Sequence, residues 1–251
     1  MRNAKYAVMM ASIALLTAGS VQAAEDSGWK FEVTPYAWLA GLEGDLTIAN
    51  REVEFDKSFS DLFDATELAG SVRLGAEYNR FLVGGMLDYF SMSTDELDVD
   101  DQPNRGSIDS DLFLAEVAVG YRVDGFAEGQ TFGVMVGVRS TQIDNKLKSD
   151  AGGSVSRDND LVDGMFYLLP SVPVFPSKID GLRFNPVLGI GAGDSDLVYE
   201  MFPQFQYQIT DVAALRIGYR TAGWKFEGDR NDDNELDISM SGLIAGLGFV
   251  F

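Results

Sequence analysis

From residue 29 onward the apolar residues of this chain recur at every second position over stretches of about ten residues, and no run downstream of residue 24 reaches the 18 or so apolar residues of a membrane-crossing helix. Leu68, Gly70, Val72, Leu74, Ala76 and Tyr78 share one face, and Ala69, Ser71, Arg73, Gly75 and Glu77 share the other. The same alternation places Phe113, Ala115, Val117, Val119 and Tyr121 together, then Phe132, Val134, Val136 and Val138, and finally Leu243, Ala245, Leu247, Phe249 and Phe251. A period of two is the period of an extended strand, whose successive side chains point to opposite faces. The chain is therefore all-β, and every helical-bundle fold is excluded. Composition agrees, with 27 Gly, 17 Phe and 9 Tyr in 251 residues.

The absent residue types narrow the chemistry. There is no Cys and no His, which removes thiolate and imidazole metal sites and any mechanism with a histidine base or cysteine nucleophile. Acidic residues number 39 against 19 basic ones, so a nucleic-acid partner, which needs clustered Lys and Arg, is not expected.

The first 23 residues read as an export signal. Arg2 and Lys5 precede the apolar run Ala7 to Leu16, and Val21-Gln22-Ala23 supplies a cleavage site. The run is too short to span a bilayer, and no Cys follows it to carry a lipid. Loss of Arg2 and Lys5 takes the formal net charge from −20 to −22. Residues 24–251 form the expected mature domain.

Alternation also occurs in soluble sandwiches, but three further patterns select a transmembrane barrel. Short links at 79–80, 123–130, 175–181 and 210–213 alternate with longer polar ones at 41–66, 94–109, 144–160 and 226–236, as short periplasmic turns alternate with long outer loops. Link 193–196 breaks the rule, being short where a long one is due. Aromatics cluster at the short turns: Tyr78, Phe81, Tyr121, Phe132, Phe184, Tyr207 and Phe251, the placement of an interfacial girdle. Opposite the aliphatic face stand six arginines (Arg73, Arg122, Arg139, Arg183, Arg216 and Arg220) and five acids (Glu77, Asp88, Glu116, Asp163 and Glu200). Inside a barrel such charges must pair. Strands are expected near 29–40, 67–79, 81–93, 110–122, 131–143, 161–174, 182–193, 197–208, 214–225 and 238–251. These make an antiparallel barrel of about ten strands, with eight and twelve as alternatives. Segment 45–55 is a possible extra strand, and Ser58 to Thr66 reads as a short helix in the first outer loop.

The last ten residues, Gly242 to Phe251, resemble the sorting signal of Gram-negative outer-membrane barrels: a terminal aromatic, Phe251, with Phe249 and other hydrophobics at alternate positions before it. The block Pro35-Tyr36-Ala37-Trp38-Leu39-Ala40-Gly41-Leu42-Glu43-Gly44, followed by Phe59-Ser60-Asp61-Leu62, is similar to the opening of a large proteobacterial outer-membrane family with no assigned activity. Val162-Asp163-Gly164, the glycine-rich run Gly189 to Gly193, and Gly218-Tyr219-Arg220 continue that likeness along nearly the whole mature chain. The resemblance implies an outer-membrane location and recognition of the C-terminal strand by the barrel-assembly machinery. It implies no activity.

Known outer-membrane phospholipases, lipid A deacylases, palmitoyl transferases and omptin-like proteases all use a histidine, so the chain is not expected to be an enzyme, and no cofactor is expected. The lumenal set Arg73, Asp88, Glu116, Arg139, Asp163, Glu200 and Arg220 has two readings: structural pairing that fills the lumen, or a charged constriction that selects ions. Asp229, Asn231, Asp233 and Glu235 follow the opening of a calcium loop. However, Asn234 stands where that loop has glycine and Met240 where it has glutamate; a solvated acidic loop is the plainer reading. Glycines such as Gly84, Gly137 and Gly189 read as relief of crowding rather than phosphate cradles. The expected partners are outer-membrane lipid and lipopolysaccharide. The function is then either a structural or surface-interaction barrel with a blocked lumen and acidic loops, or a small porin-like diffusion channel.

Overall fold

The structure, a computed structural model, describes residues 28–48, 51–57, 66–94, 106–149, 154–227 and 235–251. The strands are β1 (Trp29–Ile48), β2 (Arg51–Lys57), β3 (Thr66–Tyr78), β4 (Phe81–Thr94), β5 (Gly106–Asp124), β6 (Thr131–Ser149) and β7 (Ser154–Pro173). They continue with β8 (Leu182–Phe184), β9 (Val187–Gly193), β10 (Leu197–Phe202), β11 (Gln204–Thr210), β12 (Ala213–Glu227) and β13 (Glu235–Val250). Every pairing is antiparallel, and β1 closes the ring on β13, Glu32 opposite Val250 up to Thr47 opposite Glu235. Phe31 and Phe251 exchange both backbone hydrogen bonds, at 3.1 and 2.9 Å, as the last rung of that seam.

The wall has ten staves, as the strand count predicts. Two of them are broken by proline. Pro186 separates β8 from β9 and Pro203 separates β10 from β11, each lacking the N–H that a continuous ladder would use. The breaks lie side by side, and the Asn185 N–H donates to the Gln204 carbonyl across them at 2.9 Å. The short helix expected at Ser58 to Thr66 and the calcium-loop positions Asp229, Asn231 and Asp233 lie outside the described residues, apart from Thr66, which opens β3. The signal segment does too.

Two sequence expectations need correction. The strands run further than their apolar faces do: β1 reaches Ile48, β5 begins at Gly106, and β6 and β7 pair from Lys148–Ser154 downward. A bilayer crossing takes only about 9–11 residues, so the polar upper parts stand in water, where polar side chains extend a ladder as well as apolar ones do. The possible extra strand at 45–55 is not a stave; the end of β1 and all of β2 form a hairpin beyond the wall, with Leu42 opposite Lys57 and Ile48 opposite Arg51. The short link at 193–196 is a tight turn, so the rim dips there while β7 continues above it.

Faces follow parity. Val117, Val136 and Leu243 point outward at 58% exposure each, in a belt that includes Val119, Val134, Val138, Ile190 and Ile217. Exposed aliphatics on nine of the ten staves, with Tyr78 exposed on β3, require an apolar surrounding. At the turn end the girdle is built from ring pairs: Trp29 on Tyr78 at 5.1 Å, Phe81 on Tyr121 at 5.2 Å and Phe184 on Phe205 at 5.1 Å between centroids. The tightest turn, Asn79-Arg80, has both residues left-handed (φ 46° and 79°), as a two-residue hairpin requires.

Gly242 marks the closest approach at the closing seam. A Cβ there would lie 1.9 Å from the Leu39 carbonyl oxygen, which belongs to a rigid backbone, whereas a Cβ on Gly84 would meet the mobile Met135 methyl at 3.3 Å. Gly242→Ala should therefore lower stability by roughly 1–3 kcal/mol in denaturant titrations of refolded protein, and Gly84→Ala should be tolerated.

Candidate functional site

The inward positions converge on one carboxylate. Glu200, on β10, has no solvent exposure and meets three arginines from three different staves: Arg73 of β3, Arg139 of β6 and Arg220 of β12. Arg73 Nη2 donates to Oε1 at 3.1 Å, and Arg139 Nη2 donates to Oε2. Arg220 Nη2 reaches Oε2 at 3.4 Å, while its Nε stands 3.3 Å from Oε1 as an ion-pair contact without hydrogen-bond geometry. Parity accounts for the inward direction of all four. Closure of the ring accounts for their meeting.

Two more carboxylates complete the set. Asp88 accepts from Arg220 Nη1 at 2.7 Å and from the Tyr36 hydroxyl, which itself accepts from Arg220 Nη1 at 3.0 Å. Glu116 accepts from Arg139 Nε at 3.0 Å and Nη2 at 2.8 Å, and from the Tyr167 hydroxyl. Register makes these contacts local: Arg73, Met86, Glu116 and Arg139 are successive cross-strand partners along β3, β4, β5 and β6. The Arg220 guanidinium also lies over the Trp38 ring at 4.3 Å, and that of Arg73 over Phe202 at 5.2 Å. Three positive and three negative groups balance with every carboxylate multiply engaged. This is the arrangement in which buried charges are tolerated.

Of the seven lumenal residues predicted from sequence, six form this network. Asp163 does not join it. Although it is the cross-strand partner of Arg139, it is buried under the 193–196 turn and accepts from the Ser195 N–H at 2.8 Å and Oγ–H at 3.0 Å, holding the low rim in place. Tyr36, Trp38, Met86 and Tyr167 are not among the lumenal residues the sequence predicts, Tyr36 and Trp38 being noticed only as part of the opening block, yet all four sit on the inward parity of their strands. That parity is their signal: Tyr167 is two steps beyond Met165 and four beyond Asp163.

Above the network Trp38, Phe90, Leu112, Ile143, Trp224 and Met240 fill the lumen, and below it Leu82, Ala118 and Met135 do. Nearer the turns a second tier of polar groups follows: Arg216 Nε on Glu32 at 2.9 Å, Arg122 on Glu77 at 2.7 Å, and Arg183 on Ser171 Oγ at 2.8 Å. Among the described residues no group of acids is arranged to hold a metal ion.

The sequence matches no protein-family model and no curated protein. Solved structures match it over most of both chains. The outer membrane protease OmpT of Escherichia coli is 9% identical, with a TM-score of 0.56, over 90% of this chain and 97% of that one. The translocator domain of the autotransporter NalP from Neisseria meningitidis is 13% identical, with a TM-score of 0.49, over 95% and 96%. Ail, the attachment invasion locus protein of Yersinia pestis, is 13% identical, with a TM-score of 0.36, over 89% and 99%. At such identities the likeness to OmpT concerns the fold, and no activity passes with it.

Because Arg220 is unexposed and serves two carboxylates, Arg220→Ala should lower stability by roughly 3–5 kcal/mol. Arg122→Ala, whose pair with Glu77 is partly hydrated, should change it by less than about 1 kcal/mol. Denaturant midpoints of the two refolded variants in detergent check the contrast. The chain folds as the Gram-negative outer-membrane β-barrels do.

Proposed function

We propose that this protein is an exported outer-membrane barrel of structural or surface-interaction type, closed to solutes by its own side chains. The observation that carries the reading is the Glu200-centred layer, whose Arg139, Arg220, Glu200 and Asp88 side chains are at most 1% exposed. Apolar side chains pack above and below it. A ten-stranded ring is narrow enough for side chains to occlude it, unlike the 16–18-stranded pores that keep an aqueous channel. In this reading residues 1–23 direct export, and the strand ending in Phe249 and Phe251 is the assembly signal read by the barrel-assembly machinery. The short turns and both ends of the mature chain face the periplasm. The long acidic hairpins face outward and meet lipopolysaccharide, directly or through divalent ions held by loop acids.

The chain acts without a cofactor and is not an enzyme. The absence of histidine removes the base used by the known outer-membrane hydrolases and acyltransferases. The main lumenal carboxylates serve as ion-pair partners rather than as an acid–base couple. The resemblance of the Pro35–Gly44 block and the later motifs to a proteobacterial outer-membrane family supports the location and is silent on activity.

The rival reading is a small diffusion pore, and conductance separates the two. Refolded wild-type protein in planar bilayers should show no steady single-channel current, and Arg220→Ala should admit one if the barrel still closes. A steady wild-type current whose ion selectivity shifts in Arg220→Ala with an unchanged unfolding midpoint would decide for the pore. Orientation is tested on intact cells. Protease added outside should cut within 94–109, 144–160 or 226–236 and spare 79–80 and 123–130; the reverse pattern would invert the topology.

A further inference from the structure

The wall is not level at its loop end. The turn at 193–196 is short, so β9 stops at Gly193, opposite Asp163, while β7 continues up to Ser154. Residues 154–161 stand above the turn, about 26 Å of strand at an extended rise. On the far side of the turn β10 begins at Leu197, opposite Lys225 of β12. Above the turn the next stave round the ring is therefore β12, three strand spacings or about 14 Å away. The rim has a notch two strands wide.

One side of the notch is a prepared ladder. Above Val162, β7 pairs with β6 alone among the described residues, in unbroken register up to Lys148 opposite Ser154. The Val162 carbonyl accepts from the Asp194 N–H at 3.1 Å, and the Val162 N–H donates to Asp194 Oδ2 at 2.8 Å, so the backbone of Val162 faces the notch side. Backbone direction alternates along a strand. Asp160, Asp158 and Ser156 therefore turn their N–H and C=O groups into the notch, where no described residue pairs with them. The residues between them bond to β6. Behind β6 stands β5, paired from Gly106 opposite Ser149. The edge is thus held extended by two strands. The outer edge of β2 is also open among the described residues, but β2 rests on β1 in a single hairpin.

Nothing in this part of β7 blocks a further strand: no proline and no bulge lies between Ser154 and Leu161. Charge selects the occupant. Asp160, Asp194 and Asp196, all exposed, border the notch, against Lys225 and, one strand back, Lys146. The chain as a whole carries a formal net charge of −20, which attracts basic partners over a distance. A second copy in the same membrane would bring its β7 in the same sense and with the same acids, so self-pairing is disfavoured.

We infer that the notch-side edge of β7 is a strand-addition site, taking an extended, basic segment of another polypeptide whose main chain completes the ladder at Ser156, Asp158 and Asp160. This names a partner class for the surface-interaction reading and rests on that reading's placing of the long hairpins outside the cell.

The probe is an acetylated, amidated octapeptide of alternating lysine and threonine, added to the refolded, full mature barrel in detergent. At saturation, amide hydrogen exchange of Ser156, Asp158 and Asp160 should slow by about tenfold or more. Asn159 and Leu161, already bonded to β6, should not change. The same peptide N-methylated at alternate residues should give no protection, and a glutamate–threonine peptide should bind at least about tenfold more weakly. Asp160→Pro removes one edge N–H and keeps the rungs to β6; it should weaken binding by about tenfold. Should that variant fail to fold, the N-methylated peptide on wild-type protein decides. Edge amides already slow before peptide is added would mean that the chain's own residues fill the notch, and would overturn the proposal. So would protection by the N-methylated peptide, none by the unmodified one, or equal binding of the acidic one. These outcomes leave the conductance test untouched, and external protease cutting at the short turns would reverse the topology without altering binding in detergent.

Discussion

Glu200 is the point on which the rest of the barrel depends. A carboxylate without solvent exposure is tolerable only with positive partners in contact. Its partners come from β3, β6 and β12; β12 is the neighbour of β10, whereas β3 and β6 stand further round the ring. Arg220 can therefore reach it from an adjacent strand, but Arg73 and Arg139 join it only when the sheet has curled into the barrel. Closure is in turn demanded by the wall itself, since an open edge in hydrocarbon would strand backbone donors and acceptors. The seam of β1 on β13 meets both requirements at once: it completes the ladder with Phe31 and Phe251 at the bottom, and it brings Tyr36 and Trp38 of β1 to Asp88 and Arg220.

The network also explains why the lumen is sorted into tiers. Arginine can bridge staves because its planar fork offers several donors in fixed directions. Arg220 uses this to hold Asp88 and Glu200 together while stacking on Trp38. Above that layer Trp38, Phe90, Leu112, Ile143, Trp224 and Met240 pack into the lumen. Below it the charged side chains are partly exposed, Arg73 at 26%, Glu32 at 29% and Arg122 at 41%. The lumen thus has an apolar side and a partly exposed polar side. The long polar hairpins extend beyond the apolar belt at one end only, and the short turns stand at the other.

The fold comparison and the chemistry give separate information. OmpT has the same kind of barrel at 9% identity, which fixes how a chain can cross a membrane and says nothing of what it does there. The chemistry of this chain lies in its lumen: three arginines, three acids and two tyrosines arranged as a neutral, interlocked layer.

The sequence alone determined the faces. Alternation with period two states which side chains point inward, so the apolar belt, the inward arginines and acids, the aromatic girdle at the turns and the ten staves were all legible in it. Parity even carried Tyr36 and Tyr167, had it been followed through the polar positions. What parity cannot carry is register and the geometry of closure. Glu116 faces Arg139 because β5 and β6 pair at one register among several that preserve the same faces. Glu200 meets Arg73 because the ring closes with one particular stagger. Asp163 shows the limit: inward and opposite Arg139 by pairing, it bonds to Ser195 instead, because a short turn from another hairpin folds down onto it. Strand ends were misjudged for a related reason, since the apolar face stops where lipid stops, while the hydrogen-bonded ladder continues as long as a neighbour is present to pair with it. Local side-chain chemistry sets orientation; only the closed tertiary structure sets distance.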